Sequence, residues 1–462
     1  MPIMKAYVFP HPPLAVPAVG RGQEGQIEQT LAALDEAARD MAALGPDTII
    51  FISPHGTVYA DYFHIAPGNR ASGDLSRFRA AAERFGAVFD TGLIAAIEKQ
   101  AAVEGIPAGT LGATGQDLDH GVTVPMWFIN RHMDAYQSIC VSPSGLEKTM
   151  HYRLGQAMAA ALKDSEKKVV LVASGDLSHK LSAQAPYGHA PEGALFDTAI
   201  CDIFSTGDFG ALLSLEPGIC AAAAECGHKP FLILAGCFDQ QAVSSRLLSY
   251  EGPYGVGYAV AAVTPGGPDH GRNFLAQHEQ ALLLMAKEQK RGEDAYQALA
   301  RQSLEHMINN GDLLSMPADL PEELIEQKAG VFVTLYKEGV LRGCIGTILP
   351  TADSLAAEII KNAVSAGLHD NRFEAVSKAE LAYLSYKVDV LGHPEDIDGP
   401  GELDVKRYGV IVSSGGRRGL LLPNLDGVDT VEEQLKIARN KAGIGEKDKV
   451  SLQRFEVIRH ES

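Results

Sequence analysis

Cysteine is scarce in this 462-residue chain: there are 6 in all (Cys140, Cys201, Cys220, Cys226, Cys237 and Cys344), and no two form a CxxC pair. That argues against a disulfide framework or a zinc ribbon as the basis of the fold, and reduced, mostly buried thiols are the expectation. Tryptophan occurs once. No apolar stretch reaches the roughly 18 residues that a spanning helix needs; the longest are strand-sized, or Ala-rich and helix-sized. The N-terminal Met1-Pro2-Ile3-Met4-Lys5 lacks a charged segment followed by an apolar run, so no signal peptide is expected and the cytoplasm is the expected compartment. Positive charge is also short, with 40 Lys+Arg against 58 Asp+Glu and a net charge of −18. Without a Lys/Arg run there is no electrostatic footprint for phosphate backbones or anionic lipid, so neither nucleic acid nor a membrane surface is an expected partner.

What is present is the balance of a globular protein with a substantial core: 46% hydrophobic and 21% charged residues. The length suits two or three domains. From Ile27 to Leu44 apolar residues recur at helical spacing until Gly45-Pro46-Asp47 stops them. Thr48 to Ser53 then reads as a strand buried on both faces. The pattern returns with a helix near Leu146 to Leu162 and the strand Val169 to Ala173, so the fold class expected is α/β, a mostly parallel sheet flanked by helices. A helical pattern spans Ala221 to Ala235, and β-like runs follow at Ser244 to Tyr250 and Val256 to Val263. Pro265-Gly266-Gly267-Pro268 is a breaker cluster and the polar Gln277 to Glu293 reads as a connecting helix. The division expected is therefore a first domain at 1–265, a partly helical linker at 266–293 and a smaller α+β domain at 294–462. In the last, helices near Ala295 to Asn309, Asp353 to Ala366 and Thr430 to Ala442 alternate with strands near Gly330 to Tyr336, Val340 to Ile345, Leu381 to Val390 and Val410 to Ser413.

Two of the 15 histidines directly follow predicted strands and are flanked by proline: His11 in Pro10-His11-Pro12-Pro13 and His55 in Ser53-Pro54-His55-Gly56. Ligands of an open α/β sheet bind beyond the carboxyl ends of its strands, so both imidazoles would reach one rim. Proline stiffens the backbone around each, as a metal site requires. His179, in Ser174-Gly175-Asp176-Leu177-Ser178-His179, again follows a buried strand, and His120 lies in Asp119-His120-Gly121. Neutral imidazole suits acid/base work near pH 7, although His120 could be a turn residue and Asp176 with Ser178 could cap the next helix. Glu225 ends the Ala-rich run Ala221 to Ala224, where a carboxylate is costly unless paired or metal-bound; a helix-surface glutamate is the alternative.

The ordered set PHPP, SPHG, DHG, SGDLSH and AECG resembles the class III extradiol ring-cleavage dioxygenase superfamily, which includes the Memo proteins. That resemblance implies a non-haem Fe(II) held by His11, His55 and Glu225, with His179 as acid/base and His120 contacting substrate or oxygen. It further implies extradiol cleavage of a catechol or related aromatic diol by O2, in a homodimer or larger assembly. Such a triad leaves open coordination positions for diol and oxygen, and a divalent charge lowers the diol pKa. Zn(II) or another divalent metal would accept the same ligands. The alternative within the resemblance is a Memo-like metal-binding or redox adaptor without ring cleavage.

Leu341-Arg342-Gly343-Cys344-Ile345-Gly346, Asp370-Asn371-Arg372-Phe373 and Gly416-Arg417-Arg418-Gly419-Leu420-Leu421-Leu422-Pro423 resemble the AMMECR domain family. The second element departs from that family's usual DPRFPP, reading Glu374-Ala375 where the prolines would stand. Arg342, Cys344 and Arg372 could line a cleft, although a Cys in a Gly-rich strand is commonly a packing residue. The fusion of the two domains resembles the AmmeMemoRadiSam group, which implies a radical S-adenosylmethionine protein as partner.

Overall fold

The structure, a computed structural model, describes residues 3–114, 117–425 and 427–461. Two compact units divide the chain, the first ending at Glu279 and the second opening at Gln280. The division falls inside a helix, Phe274–Gly292, within the stretch read as linker.

The first unit is built on a six-stranded sheet whose spatial order is β5-β2-β6-β1-β8-β7. The strands are β1 (Ile3–Phe9), β2 (Thr48–Ile52), β5 (Gln137–Val141), β6 (Val169–Ser174), β7 (Gln241–Glu251) and β8 (Tyr258–Pro268). The four strands β5, β2, β6 and β1 run parallel, and β8 and β7 add an antiparallel edge. Every residue of β2 and β6 is buried, which is why their sequences are apolar without alternation. Helices α1 (Glu28–Leu44) and α4 (Lys148–Leu162) lie where the periodicity places them. The elements that did not show in the pattern include the exposed hairpin β3 (Arg70–Leu75) and β4 (Ala80–Val88), helix α2 (Thr91–Val103) and strand β5 itself.

Three expectations are corrected. The helical pattern over Ala221 to Ala235 is two helices, Pro217–Ala223 and His228–Gly236, parted by Ala224 in the left-handed region at φ 52°. The cluster Pro265 to Pro268 belongs to β8 rather than breaking it. Among the described residues that strand pairs beyond Val263 with β7 alone, and proline is tolerated in such an edge segment. Of the six thiols, all unpaired, Cys237 is buried and the other five are half-buried.

The second unit holds two four-stranded sheets. In the first, β9 (Val331–Lys337) is flanked by the edge strand β10 (Val340–Gly346) and by β11 (Leu384–Leu391), which in turn pairs with β16 (Val457–His460). Its apolar face is covered by the helices Ala295–Asn310 and Leu355–Leu368, with Leu299, Leu304, Val333, Leu335, Ile359 and Val388 in the core. In the second sheet β13 (Gly409–Ser414) lies between β14 (Arg417–Leu421) and β15 (Ser451–Phe455), and β12 (Glu395–Ile397) pairs with β15.

Candidate metal centre

The carboxyl ends of three parallel strands deliver chemistry-bearing segments to one rim, and a turn between two helices adds a fourth. β1 ends into Pro10-His11, β2 into Ser53-Pro54-His55, and β6 into Gly175-Asp176 and on to His179. The turn between the helices Pro217–Ala223 and His228–Gly236 supplies Glu225 and Cys226. Two glycines make this approach possible. A Cβ on Gly175 would lie 2.3 Å from Gly227 Cα, and one on Gly227 would meet the Phe231 ring at 2.5 Å. The loops therefore interlock through their backbones: Cys226 N–H donates to Asp176 O at 3.4 Å, and Asp176 N–H donates to Cys226 Sγ at 3.3 Å.

His11 is buried and held on three sides. Its backbone N–H donates to Asp176 Oδ1 at 2.8 Å, its Nδ1 lies 2.8 Å from Ser174 Oγ, and its Nε2 lies 3.0 Å from His55 Nε2. Cys226 Sγ is 3.6 Å from the same Nε2. Among the described residues, His11, His55 and Cys226 bring one ligand atom each to within 4.8 Å of one another. His55 is exposed, so this group is reached from solvent. Burial, and then the neighbouring His55, His120 and His179, pull the His11 pKa well below its ordinary range, which keeps the ring a lone-pair donor at neutral pH.

The other expected site residues lie around this trio in different ways. His120 opens the helix α3 (His120–Ile129), whose N-cap Asp119 accepts from Gly121 N–H at 2.7 Å and from Ser53 Oγ at 2.6 Å. Its ring stacks on His55 at a centroid distance of 4.2 Å and meets His11 edge-on at 5.2 Å. Burial, then the charges of His55 and Arg77, bring its pKa down to about 4. His179 is anchored by its backbone N–H to Ala223 O at 3.0 Å, while its buried Nδ1 has no hydrogen-bond partner among the described residues. Burial lowers its pKa, so the ring is neutral at pH 7. Glu225 is not among the three converging residues. Its Oε2 accepts from His228 N–H at 2.6 Å at the start of the following helix. Burial pushes its carboxyl up to about 7 despite the His228 hydrogen bond and the charge of Lys229. A carboxylate at a helix N-terminus is favourably placed there, and the donor turned toward the imidazoles is its neighbour, the Cys226 thiol.

The residues sequence reasoning missed are thus Cys226 and the pair Asp176 and Ser174. Asp176 and Ser178 do not cap a helix. Asp176 fixes His11, and Ser178 Oγ donates to Ala223 O at 3.1 Å. A cleft of about 580 Å³ opens beside the trio, lined by His55, His120, Phe78, Arg77, Asp74 and Asp117 among others. Phe78 meets His120 edge-on at 5.3 Å.

Comparison with known proteins places the two units in known families. Residues 5–261 match the family described as the catalytic LigB subunit of aromatic ring-opening dioxygenase, and residues 297–460 match AMMECR1. A protein of Clostridium acetobutylicum is 39% identical over 462 residues, covering 98% of each chain. The chain belongs to the LigB family and carries an AMMECR1 domain. A Thermotoga maritima protein is 50% identical over 171 residues, 37% of this chain and 98% of its own length. A crystal structure of an uncharacterised Pyrococcus horikoshii protein shares 36% identity over 36% of this chain and 88% of its own, with a TM-score of 0.33. The LigB unit is thus a dioxygenase-type fold whose mostly parallel sheet carries the rim described above, and the AMMECR1 unit follows it as the smaller α+β part.

Proposed function

We propose that the LigB unit is a metal-dependent oxidoreductase that opens aromatic diols outside the two hydroxyls. The observation that carries this reading is the meeting of His11 and His55 through their Nε2 atoms at 3.0 Å beside Cys226. Two imidazoles and a thiol within 4.8 Å of one another fit a single divalent ion. The buried hydrogen bond between His11 Nδ1 and Ser174 Oγ, with Nδ1–H donating, is the kind of outer contact that fixes the tautomer of a histidine ligating through Nε2. Fe(II), or another divalent metal, would be held by His11, His55 and Cys226. When bound, it would supply a charge that favours the deprotonated diol and open positions for diol and O2.

The rest is done by the chain. Phe78 and the His120 ring wall the cleft and orient a planar ring. His179 keeps a buried Nδ1 with no partner among the described residues, free to accept a proton from a substrate hydroxyl and return it to the departing oxygen. Anaerobically purified protein loaded with Fe(II) turns a panel of catechols yellow on aeration, and His179→Ala abolishes the colour while leaving metal bound. No product from any diol with metal-loaded protein would overturn the reading.

The thiol favours a second reading. Thiolate donors suit softer ions better than a carboxylate does, as a Memo-like metal-binding or redox protein working with a radical S-adenosylmethionine partner would require. Under it, metal binds and His11→Ala releases it, but no ring opens, and pull-down recovers the radical enzyme.

A further inference from the structure

A second space lies beside the cleft, one strand further along the rim. β5 is the neighbour of β2 in the sheet, and at its carboxyl end is a cavity of about 330 Å³. The hairpin strand β3 contributes Ala71 to its walls, α3 contributes Val122, and the end of β5 contributes Cys140 and Val141.

The polarity of the cavity is graded. Leu118, Val122, Val141 and Phe89 line it and are buried, whereas the charged Arg70 and Asp117, which also line it, are exposed. The inner end is therefore apolar and the charges stand on the solvent side. Polar groups deeper in the wall are occupied or shielded. Ser53 Oγ donates to Asp119 Oδ1 at 2.6 Å, His64 Nε2 lies 3.2 Å from Ala113 O, and Thr57 keeps its hydroxyl buried. Apolar contact is what such a wall offers a ligand.

Gly56, Thr57, Leu118 and Asp119 line both this cavity and the cleft beside the imidazoles, so one layer of residues at most parts the two. Gly56 follows His55 directly and has no side chain to thicken that layer; a Cβ there would lie 2.4 Å from Ser142 Oγ. A ligand whose head occupies the cleft thus has apolar space within reach, in the direction from β2 to β5. A cavity of about 150 Å³ is enough for benzene, so about 330 Å³ accommodates a phenyl group or a chain of roughly four to six carbons.

We propose that this cavity is a substituent pocket, which selects aromatic ligands carrying an apolar chain or a second ring over unsubstituted ones. The aromatic-diol reading given above places the head of the ligand; the class of substituent is what the cavity adds to that reading.

Full-length protein loaded with Zn(II), a redox-inert ion that allows diol binding to be read without turnover, is titrated calorimetrically with catechol and its 4-ethyl, 4-butyl and 4-phenyl derivatives. Affinity rises about two- to fourfold per methylene up to butyl, the order expected for moving a CH₂ from water into an apolar site, and the phenyl derivative binds more tightly than catechol. Ala71→Phe fills the cavity from the hairpin and cancels the gain. Ala66→Leu, on another lining segment, does the same and covers a failure of the first variant to fold. A flat series in the wild type, or a rising series that both variants leave unchanged, would overturn the pocket without touching the ring-opening reading. A rising series cancelled by the variants, with no ring opened by Fe(II)-loaded protein in air, would uphold the pocket and overturn that reading. Absence of binding by every diol would overturn both.

Discussion

Ser174 and Asp176 act on His11 without touching the cleft, and this separates holding a ligand from being one. Ser174→Ala leaves the His11 Nδ1 without its buried partner, and the expected outcome is a fall in metal affinity of about 10–100-fold. Titration against a competing chelator measures it. Cys226→Ser lowers affinity further, because a hydroxyl is a much poorer donor than a thiolate. Glu225→Gln keeps the metal, since its carboxylate accepts from His228 N–H rather than facing the imidazoles. Loss of metal in Glu225→Gln with retention in Cys226→Ser would reverse the assignment of the third ligand. At this scale the sequence revealed the histidines well, because proline and a strand end mark His11 and His55 locally. It could not choose between Glu225 and Cys226. Adjacent residues in a turn point in different directions, and which one faces the rim depends on Ala224 adopting φ 52°.

The broken helix around that turn shows why some elements were legible and others not. Alanine is the best helix former, so the run Ala221 to Ala224 carries no local sign of a break. The break is imposed from outside, by the loop after β6 pressing Gly175 onto Gly227. Gly175→Ala would place a Cβ 2.3 Å from Gly227 Cα, forcing the two loops apart. A loss of about 1–3 kcal/mol is expected for such overpacking, together with weaker metal binding as Cys226 withdraws. Thermal unfolding and chelator titration of the same variant measure the two effects. An unchanged melting temperature would mean that the loops yield freely. By contrast, β2 and β6 were plain from composition alone, since strands buried on both faces must be apolar throughout. Strands β15 and β16, Ser-Leu-Gln-Arg-Phe and Val-Ile-Arg-His, mix polar and apolar residues and are defined by partners far away in sequence.

Across the whole molecule, the two units respond to different perturbations. The proposed metal ligands all belong to the LigB unit, so chelation should lower the unfolding transition of that unit and leave the other in place. Acid reaches the AMMECR1 unit through Glu380. Its carboxylate takes Arg342 Nε at 2.9 Å and Nη2 at 3.2 Å, with Lys337 at 3.6 Å and Ser377 N–H at 2.9 Å. Burial alone would raise its pKa, but these partners outweigh it and bring it down to about 2 from an ordinary 4.5. A folded-state pKa below the unfolded one means that the unfolded chain binds the proton first as pH falls. The stabilisation is therefore complete above pH 4.5 and is lost between there and about pH 2. It amounts to at most roughly 3 kcal/mol. Urea unfolding of wild type and Glu380→Gln across that window should show a stability difference that is largest near neutral pH and closes as pH approaches 2. A difference that stays constant with pH would mean that Glu380 contributes through packing rather than through its charge.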